Sequence, residues 1–154
     1  MALQVAVCGP GDCTEAEARA ARRVGELLAE HGAVVICGGG TGVMAAVAAG
    51  ARARGGLVIG IRPDDSRDAS PDLSATIVTN MGEARNAIIV QSADAVISVG
   101  GSWGTLSEIA LAMRRGGIPV VSLRGWRVAA GDGAPVPGIQ HVDTPEAAVG
   151  AVIR

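Results

Sequence analysis

The chain of 154 residues contains no lysine, no phenylalanine and no tyrosine, so that all 13 of its basic side chains are arginines. A pyridoxal-phosphate enzyme needs a lysine to form its aldimine, and carbonyl chemistry through a Schiff base needs a lysine amine. A P-loop needs the lysine of its GxxxxGK[ST] motif. The absence of lysine excludes these chemistries and leaves backbone amides and arginine to hold any bound phosphate.

The composition also gives little support for a metal site, for nucleic acid as a partner or for a membrane location. The three cysteines Cys8, Cys13 and Cys37 have no CxxC spacing and the chain has only two histidines, so the sequence predicts no metal site. A net charge of −2 gives no electrostatic signal for nucleic acid or an anionic membrane, and neither is expected as a partner. The amino terminus does not resemble a signal peptide and no apolar run approaches about 18 residues, so we expect a cytoplasmic protein.

Apolar runs of four to six residues alternate along the chain with helical patterns, and glycines stand at the junctions. This alternation predicts an α/β fold, a Rossmann-like doubly wound parallel sheet with helices on both faces. The length predicts a single nucleotide-binding domain over residues 1–154. Ligands of such folds bind beyond the carboxyl ends of the strands, where the glycine-rich loops of this chain are expected.

Two of these loops are suited to an anion, because glycine lets backbone N–H groups approach a phosphate and the helix that follows adds its positive end. Together they favour a phosphorylated ligand of mononucleotide size over two purely structural turns. Trp103 is either a stacking wall for a ring or a loop anchor or subunit contact. The candidate phosphate-binding residues are Gly38, Gly39, Gly40, Thr41 and Gly42 in the first loop and Gly101, Ser102, Trp103, Gly104 and Thr105 in the second.

Glu108 and Arg85 are the candidate catalytic residues. Thr105 and Glu108 have the spacing of a capping box, as do Thr14 and Glu17, so a structural role for Glu108 is one possibility. The other is that the glycine loop in front of Glu108 brings its carboxylate beside a bound phosphosugar. Arg85 is either a surface helix residue or a guanidinium that reaches the same crevice.

Four segments of the chain resemble those of the LOG-like family in sequence, order and spacing. This family comprises the LONELY GUY phosphoribohydrolases, which are often misnamed lysine decarboxylases. These segments read GGGTGVM at 38–44, MGEARN at 81–86, SAD at 92–94 and GGSWGTLSE at 100–108. LOG enzymes carry the motif PGGxGTxEE, whereas this chain has one additional loop residue and Ser107 in the place of the first glutamate. Asn86 takes the place of a lysine after the arginine. In these departures the chain resembles the short bacterial branch of the family, which is similar to the molybdenum-cofactor carrier protein.

The resemblance implies a Rossmann-like fold, a homodimer or higher homo-oligomer, and hydrolysis of the N-glycosidic bond of a nucleoside 5′-monophosphate to a free base and ribose 5-phosphate. Glu108 would stabilise an oxocarbenium-like transition state and help to activate water, and Arg85 would orient Glu108. No cofactor is required, and a lysine decarboxylase is excluded by the missing lysine. The alternative is a non-catalytic protein that binds or carries a nucleotide or molybdopterin in the same crevice.

Overall fold

The computed structural model describes residues 1–68 and 70–153 of the chain. Ala69 lies outside the described residues, as does Arg154, the last residue of the predicted domain. Seven strands form one sheet in the order β4-β3-β2-β1-β5-β6-β7, and every neighbouring pair is parallel. The predicted doubly wound parallel sheet is thereby confirmed. The strands are β1 Gln4–Cys8, β2 Val34–Cys37, β3 Val58–Arg62, β4 Ala75–Val78, β5 Ala95–Val99, β6 Val120–Leu123 and β7 Ile139–Val142.

The helices that follow Thr14, Ser102 and Thr144 begin at polar caps, whose side chains satisfy one of the first backbone N–H groups. Thr14 and Glu17 form the predicted capping box of α1, and Thr144 caps α5, which has Pro145 at its first position. The helical segment that follows β4 starts as a 3₁₀ turn, Gly82–Ala84, before α3 begins. The helices are α1 Glu15–Glu30, α2 Val43–Ala53, α3 Arg85–Gln91, α4 Trp103–Arg115 and α5 Pro145–Val152.

The sheet separates two hydrophobic clusters. One is formed with α1, α2 and α5 and includes Val24, Val47 and Val149, and the other is formed with α3 and α4 and includes Ile89 and Ile109. Strands covered on both faces are mostly apolar, and all five residues of β5 are buried, Ser98 among them.

The order of the strands reverses direction between β1 and β5. The chain runs outwards from β1 through β2 and β3 to β4, then returns to the other side of β1 to add β5, β6 and β7. The loops that leave β1 and β5 therefore diverge to opposite faces of the sheet and leave a crevice at its carboxyl edge, where ligands of such sheets bind.

Candidate functional site

A pocket of about 180 Å³ lies in the crevice between the carboxyl ends of β1 and β5. The loop after β1, the first turn of α2, the start of α3 and the first turns of α4 all contribute to its walls. Its lining residues are Gly9, Pro10, Gly11, Met44, Glu83, Arg85, Asn86, Ser102, Gly104, Thr105 and Glu108. We call it the switch-point pocket.

The helix ends at the switch-point pocket differ from those elsewhere in the protein. The first turns of α1 and α5 carry glutamates, Glu15 and Glu17 in α1 and Glu146 in α5, which offset the positive ends of those helices. The first turns of α2 and α4 carry no acidic residue. At α2, moreover, the N-cap Gly42 makes no side-chain capping hydrogen bond. The positive potential of these two helix ends is available to an anion in the pocket.

Ser102, and not Thr105, caps α4. Its hydroxyl accepts a hydrogen bond from the backbone N–H of Thr105 at 3.2 Å and lies 2.9 Å from the Thr105 hydroxyl. The helix begins at Trp103, so Thr105 and Glu108 lie inside it and the capping-box interpretation of this pair is wrong. Glu108 has no capping role, and its carboxylate needs another explanation.

Arg85 is buried at the start of α3 with its guanidinium held by two neighbours. Its Nε donates to the backbone carbonyl of Ile61 at 3.0 Å, and its Nη1 donates to Oδ1 of Asn86. Gly38 makes room for it, since a β-carbon on Gly38 would lie 2.7 Å from Nη2 of Arg85. The interpretation of Arg85 as a surface residue is wrong, because only 9% of it is exposed.

Glu108 is a buried carboxylate without a cation at contact distance. Burial raises the pKa of Glu108 above its usual value, a thiol hydrogen bond from Cys8 and the charge of Arg85 lower this pKa in part, and Glu83 raises it. In the described part of the chain, no arginine lies within 4.0 Å of the Glu108 carboxylate. Arg85 acts on Glu108 through space and not by a salt bridge.

Cys8 stands at the end of β1 beneath Glu108 and keeps its proton. Burial, and next the negative charge of Glu108, raise the pKa of the Cys8 thiol well above its usual value. A protonated thiol is a poor nucleophile.

The first glycine loop lies beside the switch-point pocket more than in it. Gly39, Gly40 and Thr41 line a neighbouring pocket with Arg62, whose Nη1 donates to the Gly39 carbonyl at 2.8 Å. Gly42 packs against the backbone of the Gly9–Gly11 loop, where a β-carbon would clash.

The second glycine loop enters the pocket through Ser102, Gly104 and Thr105. Gly101 lies instead under the indole of Trp126, which meets Trp103 edge to face with ring centroids 5.0 Å apart. Trp103 is 77% exposed between two residues that line the pocket.

Sequence reasoning did not select several residues that line the pocket, namely Gly9, Pro10, Gly11, Met44, Glu83 and Asn86. The Gly-Pro-Gly sequence directly after the first strand is the signal that could have found the loop, because the phosphate-binding turn of a dinucleotide fold normally follows that strand.

A second, larger pocket of about 340 Å³ lies at the opposite, amino edge of the sheet. Its polar residues already serve the backbone, since Nδ1 of His31 contacts the Leu27 carbonyl and Asp94 accepts from the Gln4 N–H. Among the residues that line it, none belongs to the carboxyl end of a strand or the amino end of a helix, so the switch-point pocket is the better candidate for ligand binding.

Across residues 1–68 and 70–153 the histidines, cysteines and carboxylates form no group of three or more that could hold a metal ion. Over the same residues, no helix has the length and apolar character needed to cross a membrane.

The family assignment agrees with this geometry. The model of the SLOG cluster4 family matches residues 2–149. The chain belongs to this family. An uncharacterized protein of Archaeoglobus fulgidus is 47% identical over 147 residues, which cover 96% of this chain and 92% of that protein. The predicted membership of a LOG-like family is confirmed.

Two solved structures to which this chain is similar are those of a molybdenum cofactor binding protein and a molybdenum cofactor carrier protein. The molybdenum cofactor binding protein of Rippkaea orientalis superposes with a TM-score of 0.84 at 32% identity, over 95% of this chain and 92% of that chain. The molybdenum cofactor carrier protein of Chlamydomonas reinhardtii gives a TM-score of 0.84 at 28% identity, over 98% and 96% of the two chains. The predicted likeness to the carrier-like branch is thereby also confirmed.

Proposed function

We propose that this protein binds a small phosphorylated ligand in the switch-point pocket and holds it without needing to convert it. The observation that carries the proposal is the convergence of two helix ends without acidic residues and the buried Arg85 on one crevice. Backbone N–H groups and an arginine are the phosphate ligands that a chain without lysine has to offer. The likeness to molybdenum cofactor binding and carrier proteins makes the phosphorylated pterin of that cofactor the first candidate.

The size of the pocket indicates that one part of the ligand lies inside it and the rest outside. About 180 Å³ is less than the roughly 300 Å³ at which pockets for whole small molecules begin. A phosphate and the group next to it fill such a volume, and the ring system would then extend out of the mouth towards the exposed Trp103. An indole that is 77% exposed offers an apolar face for such a ring.

Ligand titration tests the proposal. We expect calorimetry to detect binding of molybdopterin or of adenosine 5′-monophosphate (AMP), and adenosine to bind about tenfold more weakly than AMP because it lacks the phosphate. Arg85→Ala should weaken binding of the phosphorylated ligands. Arg19→Ala is the matched control, since Arg19 is an exposed arginine of α1 and should be dispensable. Equal affinity for AMP and adenosine, or equal effects of the two variants, would contradict the proposal.

Hydrolysis of a nucleoside monophosphate is the second candidate function, and Glu108 is the observation that favours it. A buried carboxylate that faces a ligand pocket with a raised pKa is a group that catalysis can use. Incubation with a panel of nucleoside 5′-monophosphates, with free base measured by chromatography, decides between turnover and binding. Release of base by the wild type but not by Glu108→Gln would establish the hydrolase, whereas tight binding without release supports the carrier-like function.

We propose in addition that two copies of the chain associate through the face formed by α3 and α4. Trp103 and Leu111 of α4 are exposed there, as is Ile77 of β4, which lies beside Ile61 on the same side of the sheet. Among the described residues, the ion pairs lie elsewhere, seven of them on α1 and its neighbours and one between Arg62 and Asp64. Exposed apolar side chains on a helical face that carries no ion pair among the described residues suit contact with a second copy.

Light scattering coupled to gel filtration tests this association. A homodimer or larger assembly is expected for the wild type, and Leu111→Arg should shift it towards the monomer. Leu57→Arg is the matched control, because Leu57 is also exposed but belongs to the segment between α2 and β3 and not to α3 or α4. A monomeric wild type, or dissociation by both variants alike, would contradict the interface.

A further inference from the structure

Asn86 lies between the two oppositely charged side chains at the start of α3. Its side chain is 1% exposed, accepts from Nη1 of Arg85 through Oδ1, and donates through Nδ2 to Glu83 at 3.3 Å and to the Ser107 hydroxyl at 2.9 Å. The amide therefore uses its acceptor and its donors at the same time, and both charged partners line the switch-point pocket.

The contact with Ser107 extends this arrangement to α4. The Ser107 hydroxyl donates to the Gly104 carbonyl at 2.7 Å while it accepts from Asn86. Asn86 and Ser107 are both positions where the chain departs from the LOG motif, in which a lysine and a glutamate stand. The two departures are thus in direct contact, and a neutral hydrogen bond joins α3 to α4 where the LOG residues would bring two opposite charges together.

From this geometry we infer that Asn86 is a positioning residue, which fixes Arg85 towards the pocket and keeps its charge from being neutralised by Glu83. In the described part of the chain, Arg85 has no carboxylate within 4.0 Å, although Glu83 lies only two residues away. An amide satisfies the guanidinium with a hydrogen bond but brings no charge, so the positive charge of Arg85 remains free to attract an anion. This inference rests on the proposed function, because it assigns Arg85 to the ligand phosphate.

The substitution Asn86→Asp tests the inference with almost no change of shape. An aspartate keeps the oxygen that accepts from Arg85 but adds a negative charge, so it forms the ion pair that the amide avoids. We expect the affinity for AMP to fall about tenfold, the effect of removing one hydrogen bond to a charged group. Asn80→Asp is the matched control for net charge, since Asn80 is exposed in the loop before the 3₁₀ turn. It should change the affinity less than about twofold.

A double-mutant cycle separates positioning from a general structural effect. If Asn86 acts through Arg85, Asn86→Asp should have almost no further effect on AMP binding in the Arg85→Ala background. An equal loss of affinity in both backgrounds would overturn the inference, and so would a wild-type affinity in Asn86→Asp itself.

A ligand-free measurement distinguishes failure of this inference from failure of the proposed function. The Nε–H of Arg85 should give a resolved, slowly exchanging ¹⁵N resonance in the wild type, and Asn86→Ala should broaden it or speed its exchange while the Arg62 Nε–H stays unchanged. If the wild type binds none of molybdopterin, AMP and inorganic phosphate, the proposed function fails, and this resonance alone decides whether Asn86 positions Arg85. An Arg85 signal that is the same in wild type and Asn86→Ala overturns the positioning role.

Discussion

Replacement of Glu108 by glutamine should make the protein more stable at neutral and alkaline pH. Glu108 is 9% exposed, and desolvation of its carboxylate dominates over the partial relief from Cys8 and Arg85. A buried charged group without an adequate partner costs about 1–3 kcal/mol, while a neutral amide of the same shape costs less. With the thiol contact counted as partial relief, we expect the free energy of unfolding to rise by about 1 kcal/mol, or about 2–4 °C in melting temperature.

The pH dependence of this gain follows from the direction of the shift. Because the pKa of Glu108 is higher in the folded than in the unfolded chain, the unfolded chain releases the proton first as the pH rises. Stability is therefore lost between the usual carboxyl pKa and the raised one, and it stays lower above that range. The advantage of Glu108→Gln should vanish at a pH below the usual carboxyl range and grow to a plateau above the raised pKa.

Chemical denaturation of wild type and Glu108→Gln across pH measures this difference directly. Glu146→Gln is the control with the opposite sign, since a backbone hydrogen bond and Arg23 lower the pKa of that exposed carboxyl. A Glu108→Gln protein that is less stable than the wild type at pH 8, or a difference that does not change with pH, would refute the reasoning. A confirmed gain would mean that the chain keeps this carboxylate at the expense of stability, as expected of a functional group.

Four further substitutions test helix caps and close packing by denaturant unfolding. Ser102→Ala should lower the free energy of unfolding by about 1 kcal/mol through loss of the α4 cap, and Thr144→Ala should do the same at α5 without affecting ligand binding. Gly50→Ala should cost about 1–3 kcal/mol, although alanine favours helices, because its β-carbon would overlap the Arg22 carbonyl of α1. A variant as stable as the wild type would contradict that close approach. Ser122→Ala should be neutral or slightly stabilising, since the buried hydroxyl has no hydrogen-bond partner among residues 1–68 and 70–153, and a loss above about 1 kcal/mol would contradict this.

The local pattern of the sequence was sufficient for the strands and most helix ends. Thr14 and Glu17 form the expected capping box because each side chain reaches a backbone N–H within the same turn. At α4 the same reasoning chose Thr105, whereas Ser102 three residues earlier is the cap. Ser102 and Thr105 are both possible caps, and the path of the preceding loop decides which of them caps the helix. That path depends on contacts distant in the sequence, such as that between Gly101 and Trp126.

The pocket itself depends on the order of the strands, which is a property of the whole sheet. The Gly9–Gly11 loop lines the pocket because β1 and β5 are neighbours, although 86 positions separate Gly9 from Ala95 along the chain. The role of Asn86 likewise depends on its hydrogen bond with Ser107, which is 21 residues away in the sequence. Arg85 and Glu108 were selected from the sequence as candidates, but the absence of a salt bridge between them follows only from the three-dimensional arrangement.

The position of a bound phosphate tests most directly whether the switch-point pocket is the ligand site. A crystal structure of the protein with AMP should place the phosphate at the first turn of α4, within hydrogen-bond distance of the backbone N–H groups of Trp103 and Gly104 and of the Arg85 guanidinium. A phosphate in the pocket at the amino edge of the sheet, beside His31 and Asp94, would contradict the assignment of the site.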